Sequence, residues 1–425
     1  MAAARPPRRQ FVLRFAACLV LAVGCGAAEA PAQGAPVHLE ARHLVESTEP
    51  RPGTIWPDAV EEQWRRAQGG SVLHARTTLS VEWTGIVDWP AGGAASLEVR
   101  GEWSVGPQAE GPGTVPQATA TLDRAVASWI VPGGTVRIGR FIPEWGTAFR
   151  RRPSNPLEEM GASPYVAELM LAGENPPVTT SVGYAFWEAT AVPWMRWSTA
   201  AESGDMALAL GHRTGQGPWM AASISREIAP GLQGYAEGVL ARPYRPIRVV
   251  APAPENGWQA IGPGAYADGV ALRWLAGLWY LSPGGWNWVA EYRIEPGGLD
   301  DAEAAIFWDA AAGRLPSSSA LAAASNSGAA LRTLGWLASD GLPLRRRYLD
   351  FSLVREDPRA AWAPALSGSV DLDDGSWVAI PEVSFQGWTG VEPAIRMLFF
   401  SGSQRSEFGA GPAAWSAQLV VRTVL

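Results

Sequence analysis

Apolar and polar residues alternate along most of this chain with a period of two, which is the pattern of β-strands. In residues 73–83 one face carries Leu, Ala, Thr, Val and Trp, and the other carries His74, Arg76 and Glu82. The alternation recurs in residues 97–105, 270–280, 286–295 and 415–422. Charges of both signs fall on the polar face in one stretch after another. The sequence therefore predicts an all-β fold whose strands each have one apolar and one ionic face.

The alternation alone does not decide which face of each strand is in contact with water. A soluble sheet buries its apolar face against a second sheet, whereas a membrane barrel turns that face to lipid and encloses the polar one. Several stretches last about 9–13 residues, the length of a tilted membrane strand, while soluble strands average about 5–6. Aromatic residues also lie near strand ends, at Trp83, Trp103, Tyr280 and Trp286, as expected for interfacial girdles. These features favour a single transmembrane antiparallel up-and-down β-barrel of about 14–16 strands.

The barrel is predicted to span residues 71–425, with Gly- and Pro-rich links and long outer loops. Residues 300–339 are rich in Ala and Ser and predict a long outer loop with a short helix at Asp301–Ala312. Residues 33–70 show no sustained alternation and predict a periplasmic N-terminal arm. No run of about 18 apolar residues is present that could form a spanning helix.

The N-terminal 32 residues have the layout of a secretory signal peptide. Four arginines precede a short apolar stretch, Phe15–Val23, and small residues follow. We expect cleavage after Ala32, which would remove both cysteines, Cys18 and Cys25. A mature chain without cysteine excludes a disulfide scaffold, a thiol nucleophile and a cysteine-based zinc site. Together with the predicted barrel, the leader indicates export to a bacterial outer membrane.

Composition agrees with a membrane location. The chain has 22 Trp, 8 Tyr and 11 Phe, and only 18% of its residues are charged. Trp prefers interfaces where its ring is in an apolar medium and its N–H reaches water. The formal net charge of -7 argues against nucleic-acid binding. A soluble all-β protein with Trp-lined sugar clefts is the alternative that composition leaves open.

Residues that could act in catalysis or bind a metal are few, and their spacing suits neither role. Neighbouring carboxylates such as Asp373 and Asp374 would point apart on a strand, so they do not form a glycosidase pair. His38 and His43 are five residues apart, a spacing that brings them together neither on a helix nor on a strand. Neither a nucleophile elbow nor a phosphate-binding loop is present. We therefore expect no enzymatic activity, no cofactor and no metal site.

Three short motifs resemble those of the phosphate-selective (O/P type) porins. The segment Leu122–Ala125 followed by Thr135–Gly146 is similar to their strand–turn–strand, ending here in the pair Trp145-Gly146. Ser154-Asn155-Pro156-Leu157, and the run Phe399–Ser403 with Ser406–Gly409, are similar to other parts of these barrels. The chain departs from the family by ending in Leu425 rather than Phe and by containing no Lys. The resemblance implies a porin-like barrel and a porin role, but not phosphate specificity.

The sequence as a whole predicts a channel for passive diffusion of small hydrophilic solutes. The arginines of the connection after Gly146 allow two interpretations: an external loop that contacts anionic lipid headgroups, or a loop folded inward, in which they would face two glutamates and set a field across the pore. A non-conducting structural or adhesive barrel and a secreted soluble glycan-binding protein are the other readings. Expected partners are outer-membrane lipid, the solutes and the outer-membrane assembly machinery, and a homo-oligomer remains open. The predicted pore-lining or constriction residues are His74, Arg76, Glu82, Glu98, Arg100, Glu102, Arg137, Arg150, Arg151, Arg152, Glu158, Glu159, Arg273, Glu291, Arg293, Asp350 and Arg422.

Overall fold

The computed structural model describes the greater part of the chain from residue 37 onward. The described residues are 37–50, 73–89, 93–107, 116–143, 145–148, 152–153, 155, 157, 164–173, 178–187, 190–201, 204–248, 262–266, 268–311, 343–357, 360–388, 391–410 and 413–424. Side-chain positions are described from residue 124 onward, apart from residues 201, 244–248, 262–266, 413–414 and 422–424.

Nearly all of the described chain is β-strand. The strands are β1 Val37–Pro50, β2 Leu73–Trp89, β3 Gly93–Pro107, β4 Pro116–Val131, β5 Gly134–Arg140, β6 Tyr165–Ala172, β7 Val178–Trp187, β8 Thr190–Ala201, β9 Gly204–Arg213, β10 Gly217–Ala229, β11 Leu232–Ala241, β12 Tyr244–Arg248, β13 Gly262–Tyr266, β14 Ala271–Leu281, β15 Trp286–Ile294, β16 Arg347–Arg355, β17 Trp362–Asp371, β18 Trp377–Phe385, β19 Val391–Ser401 and β20 Ala413–Val424. One helix, α1, spans Asp301–Ala311 within the described residues.

Each strand of the main sheet pairs antiparallel with its neighbours in the chain, as expected for an up-and-down barrel. The strands β12 and β13 form a separate hairpin, so that β11 pairs with β14. The last strand, β20, pairs with β1, and the ring of pairings returns to its start. The described residues give an 18-stranded sheet, two strands more than the upper end of the expected range. The predicted all-β barrel is thereby confirmed.

The barrel begins earlier than the alternation indicated. Strand β1 lies inside the segment 33–70, which the sequence assigned to a periplasmic arm, and it pairs with both β2 and β20. The prediction was wrong for these residues because Val37–Pro50 places Pro50, Glu49 and His43 among its strand positions, which weakens the period-two signal. The neighbouring strands β2 and β20 supply the backbone hydrogen bonds that hold these residues in a strand. The local sequence pattern does not indicate this pairing.

The apolar faces point outward. Across β6 to β14, register partners Leu169, Val182, Met195, Leu210, Met220, Leu240 and Leu272 form one continuous outer row, and all of them are exposed. The inner positions of the strands carry buried polar groups, among them Glu168, Glu237, Glu291 and Asp350. A soluble sandwich would show the reverse, so the described strands have the inside-out arrangement of a membrane barrel.

The two rims of the barrel differ in the length of their connections. Tight turns at one rim join β4 to β5 and β10 to β11, with Gly133 and Gly231 both at φ +76°. Glycine is required there because other residues rarely adopt this left-handed conformation. Four long connections, 140–165, 241–271, 294–347 and 401–413, leave the opposite rim, called here the loop rim. Barrels of this class have short turns on the periplasmic side and long loops outside.

Aromatic side chains mark both edges of the outer surface. Near the short turns, Trp362, Phe385 and Trp388 form a chain of ring contacts with centroids 4.8 and 5.1 Å apart. At the loop rim, the Arg140 guanidinium lies 5.0 Å from the ring centroid of Trp187. Arg140 pairs in register with the exposed Tyr165, so it belongs to the outer face at the rim, where a long cationic side chain can reach water.

The helix α1 lies in the connection between β15 and β16, where a short helix was predicted. Asp300 caps its first turn: its Oδ1 accepts the Glu303 N–H at 2.9 Å, and Glu303 Oε2 accepts the Asp300 N–H at 3.1 Å. Phe307 and Trp308 are buried and meet edge to face at 5.0 Å. None of the described helical residues forms an apolar helix long enough to cross a membrane.

Candidate pore and its constriction

One wall of the barrel interior carries an ion pair at its centre. Arg137 of β5 and Glu168 of β6 are register partners, and Arg137 Nε donates to Glu168 Oε2 at 2.8 Å. Glu168 is only 3% exposed, and Arg196 of β8 adds a second positive charge near its carboxylate. Alternation in β5 and β6 places both partners inward while Ile138 and Leu169 face outward.

A second, denser set of charges follows β14, β15 and β16. Arg293 Nε donates to Asp350 Oδ2 at 2.7 Å, and Arg293 Nη1 donates to Glu295 Oε1 at 3.1 Å. Arg273 lies 4.0 Å from Glu295. Inner positions of three adjacent strands carry Arg273, Arg293 and Asp350. Their charges therefore form a band that runs across the strands and not along any one of them. The same wall holds Glu291, which accepts the Tyr235 hydroxyl hydrogen at 2.7 Å.

The connection after β5 folds into the barrel. Of its described residues, Phe141, Trp145 and Leu157 are buried in a cluster with inward residues of β4 and β6 to β11. The Trp145 ring meets that of Trp194 edge to face at 4.7 Å and lies 6.4 Å from that of Trp219. This segment, residues 141–157, is called the inward segment below.

Two glycines on the inner wall make room for this aromatic cluster. A Cβ at Gly183 would lie 2.1 Å from Trp194 Cζ2, and one at Gly211 would lie 2.3 Å from Trp219 Cζ2. Each indole therefore lies flat over the backbone of a neighbouring strand. Among the described residues, neither the Trp194 nor the Trp219 Nε1–H has a hydrogen-bond acceptor.

Polar contacts fix the inward segment to the wall and within itself. Glu237 Oε1 accepts the N–H of Ala148 at 2.7 Å and also that of Thr147. Asn155 Nδ2 donates to the Pro143 carbonyl at 2.7 Å, which closes the segment on itself. Glu237 projects from the inner face of β11 and is buried. The Glu237 carboxylate thus accepts hydrogen bonds from two backbone N–H groups. Such groups would otherwise have no partner where an irregular segment enters a pore.

Five of the predicted lining residues have described side chains on the inner face: Arg137, Arg273, Glu291, Arg293 and Asp350. For seven others the Cα register gives inner positions, with side chains outside the described set: His74, Arg76, Glu82, Glu98, Arg100, Glu102 and Arg422. Arg152 is half-buried in the inward segment, and its carbonyl accepts the Asn155 N–H at 2.8 Å. Arg150, Arg151, Glu158 and Glu159 lie outside the described residues.

A second polar cluster joins three connections at the loop rim. Glu407 Oε2 accepts the N–H groups of Leu344 and Arg345, both at 3.2 Å, and the Tyr348 hydroxyl at 2.5 Å. The Glu407 N–H donates to Asp374 Oδ2 at 2.8 Å. Burial raises the pKa of the Glu407 carboxyl to about 7, opposed by the Tyr348 hydrogen bond and the charge of Arg293.

Several inner residues escaped the sequence analysis. Glu168, Arg196 and Glu295 occupy the polar parity of strands whose alternation is visible, so a full register trace would have found them. Glu237 and Glu407 act on connections distant in sequence, 89 and 62 residues away, which no local pattern reports. No group of three or more His, Cys, Asp or Glu in the described part of the chain is arranged to hold a metal ion.

Comparisons with known proteins place this geometry among outer-membrane barrels. No protein-family model matches the sequence, and the curated proteins include no match. Among solved structures the chain is similar to OccK5 (OpdH) of Pseudomonas aeruginosa, with 10% identity, a TM-score of 0.52, and 92% of this chain and 97% of that chain covered. The chain has the fold of a porin-like outer-membrane β-barrel.

Two further structures support this porin-like fold. OccAB1 of Acinetobacter baumannii matches with 9% identity and a TM-score of 0.52, covering 94% of this chain and 99% of that chain. Wzi of Escherichia coli, an outer-membrane protein involved in group 1 capsule assembly and a carbohydrate-binding β-barrel, matches with 10% identity and a TM-score of 0.50, covering 99% and 89%. At these identities the likeness establishes the fold, and the phosphate-selective type remains a prediction.

Proposed function

We propose that this porin-like barrel is an outer-membrane channel for passive diffusion of small hydrophilic solutes. The observation that carries the proposal is the inverted sheet: apolar residues face outward, while ion pairs and an inward-folded segment occupy the interior. Charges enclosed by a low-dielectric wall act strongly on a passing solute, because the surrounding medium screens them poorly.

The arrangement of charge supports a pore that filters by size and charge. The wall of β5 to β8 carries Arg137 and Arg196 beside Glu168, an excess of one positive charge among these residues. The wall of β14 to β16 carries Arg273 and Arg293 beside Glu291, Glu295 and Asp350, an excess of one negative charge. This difference in net charge would orient a dipolar solute across the lumen. Phe141, Trp145 and Leu157 of the inward segment occupy space inside the barrel, which supports a lumen narrower than the ring of strands alone would leave.

The proposal includes export and location. Residues 1–32 act as a signal peptide, the mature chain resides in the outer membrane, and it has no enzymatic activity. N-terminal sequencing of protein from the outer-membrane fraction tests the first two points, and a mature chain beginning upstream of residue 30 would overturn the assigned cleavage site.

Conductance in planar lipid bilayers tests the channel itself. We expect discrete current steps from purified, refolded protein, with a reversal potential in a salt gradient that reports any preference for cations or anions. A heat-denatured sample is the matched control. Protein that shows the heat-modifiable gel migration of a folded barrel yet gives no steps at any voltage would exclude an open channel.

The second candidate is a non-conducting barrel that binds carbohydrate. It is favoured by the similarity to Wzi and by the interior aromatic cluster, where the described part of the chain offers no acceptor to two indole N–H groups. Aromatic faces with nearby donors are suited to sugar rings. Absent conductance together with saturable oligosaccharide binding, lost in Trp194→Phe, would favour this candidate. Conductance without sugar binding would reject it.

A further inference from the structure

The outer surface of the barrel contains a groove that crosses six adjacent strands. It has a volume of about 690 Å³ and runs from Val178 of β7 to Trp274 of β14. Its course follows two neighbouring outer rows, in which Met206 pairs with Ile224, and Leu208 pairs with Ala222. Five strand spacings of about 4.8 Å give a length of about 24 Å. The groove is therefore long and narrow rather than round.

Small residues form the floor of the groove. Ala222, Ala236 and Gly238 occupy outer positions on β10 and β11. The outer row on one side carries the large apolar side chains of Met220, Leu240 and Leu272, and the row on the other side carries Gly204, Arg226 and Gly234. Even a Cβ at Gly238 would approach Leu272 Cδ1 to 3.3 Å. Trp197 and Trp274 stand toward the two ends. The depression results from these small side chains and not from a break in the sheet.

A cationic side chain lies on the outer face beside the groove. Arg226 is two residues beyond the groove residue Ile224, pairs with Gly204 and Gly234, and is exposed. It lies near the short turn at the end of β10, and the described residues give it no ion pair. An arginine facing outward at the edge of an apolar belt belongs to the membrane interface, where it contacts headgroups.

We propose that this groove binds one acyl chain of an anionic phospholipid, whose headgroup phosphate pairs with Arg226. The proposal rests on the membrane location in the proposed function. Its occupant follows from continuity with the lipid-facing surface and from the positive charge of Arg226 at its edge, for which the described residues supply no ion pair. A second copy of the chain would need a protruding ridge to fill so narrow a depression, whereas an acyl chain has the required shape.

The test uses full-length mature protein in nanodiscs that contain a trace of phosphatidylglycerol or phosphatidylcholine with a photoactivatable group in one acyl chain. Mass spectrometry then maps the cross-links. We expect them to concentrate on Met206, Leu208 and Ile224, in preference to Ile395, which is equally apolar, 60% exposed and far around the barrel. An even distribution around the barrel would overturn the proposal.

Two variants separate the acyl and headgroup contacts. Ala222→Leu/Ala236→Leu fills the groove and should lower its cross-links to the level at Ile395, whereas Ala290→Leu, another exposed outer alanine, should not. Arg226→Gln should weaken cross-linking by phosphatidylglycerol about fivefold and leave phosphatidylcholine unchanged. Unchanged cross-links in the filled variant, or cross-links between protein copies at these residues, would refute lipid binding there. A chain that stays soluble without lipid or detergent would instead refute the proposed membrane location.

Discussion

Replacing Glu237 by alanine should release the inward segment from the barrel wall. The Glu237 carboxylate accepts the backbone N–H groups of Thr147 and Ala148, and its β11 backbone remains in the sheet whichever side chain it carries. The variant removes the acceptor of the buried Ala148 N–H and of the partly buried Thr147 N–H. The segment can satisfy them only by moving toward water.

The expected magnitude follows from the hydrogen bond at Ala148. A buried donor left unsatisfied costs about 1–3 kcal/mol, so the loss at Ala148 alone should destabilise the docked segment by about that amount. Even the lower limit raises the population of the released state about fivefold, since about 1.4 kcal/mol corresponds to a factor of ten. Glu237→Gln retains an acceptor oxygen without the charge and should have a smaller effect.

Hydrogen exchange at the Thr147 and Ala148 amides measures this release directly. We expect exchange at least about fivefold faster in Glu237→Ala, and larger single-channel conductance because the constriction is less occupied. Glu382→Gln is the matched control, because Glu382 pairs with Arg396 at 2.5 Å on a distant part of the ring. Unchanged protection of both amides in a correctly folded Glu237→Ala barrel would refute the anchoring role of this carboxylate.

Substitutions at two interior positions and a pH titration test the interior and the loop rim. Gly183→Ala should destabilise the barrel by about 1–3 kcal/mol in urea unfolding, because the added methyl displaces Trp194. Arg293→Met should cost about 3–5 kcal/mol, because it leaves Asp350 buried without its cation, and Arg293→Met/Asp350→Asn should recover part of the loss. Docking of the loop at Glu407 should weaken as pH rises from about 4.5 to about 7, because burial raises the pKa of this carboxyl in the docked state. The protection factors of the amides of residues 402–410, which correct the observed exchange rates for the base-catalysed exchange of an unprotected amide, should fall by up to about tenfold per pH unit.

Matched controls accompany these variants. Gly284→Ala adds a methyl where the nearest atom is 3.8 Å away and should be neutral. Arg242→Met breaks an exposed ion pair with Asp268 and should change stability by less than about 1 kcal/mol. Glu407→Gln should abolish the pH dependence between about 4.5 and 7. A pH profile unchanged in that variant would assign the effect to the other charged groups of the cluster, which are Arg293, Asp371 and Asp374.

The interior ionic residues could be read from the sequence wherever strand alternation is regular. Arg137, Arg293 and Asp350 lie inward because a period of two puts alternate side chains on opposite faces, whatever the partners are. The same rule fails at β1, where the alternation is weak and pairing with β2 and β20 determines the strand. Strand β1 shows how the strand number came to exceed the expected range. Its pairing with two neighbours stabilises it as a strand more clearly than its own sequence pattern predicts one.

The sequence by itself determined the all-β class, the two-faced strands and the short helix after Asp300, because these depend on periodicity and on contacts within a few residues. Tertiary structure alone decided that Glu237 holds Ala148, that Trp145 packs on Trp194, and that Glu407 joins three connections. Such contacts link residues that lie far apart in the chain and become neighbours only when the ring of strands has formed. Their energies depend on burial, which a one-dimensional pattern does not contain.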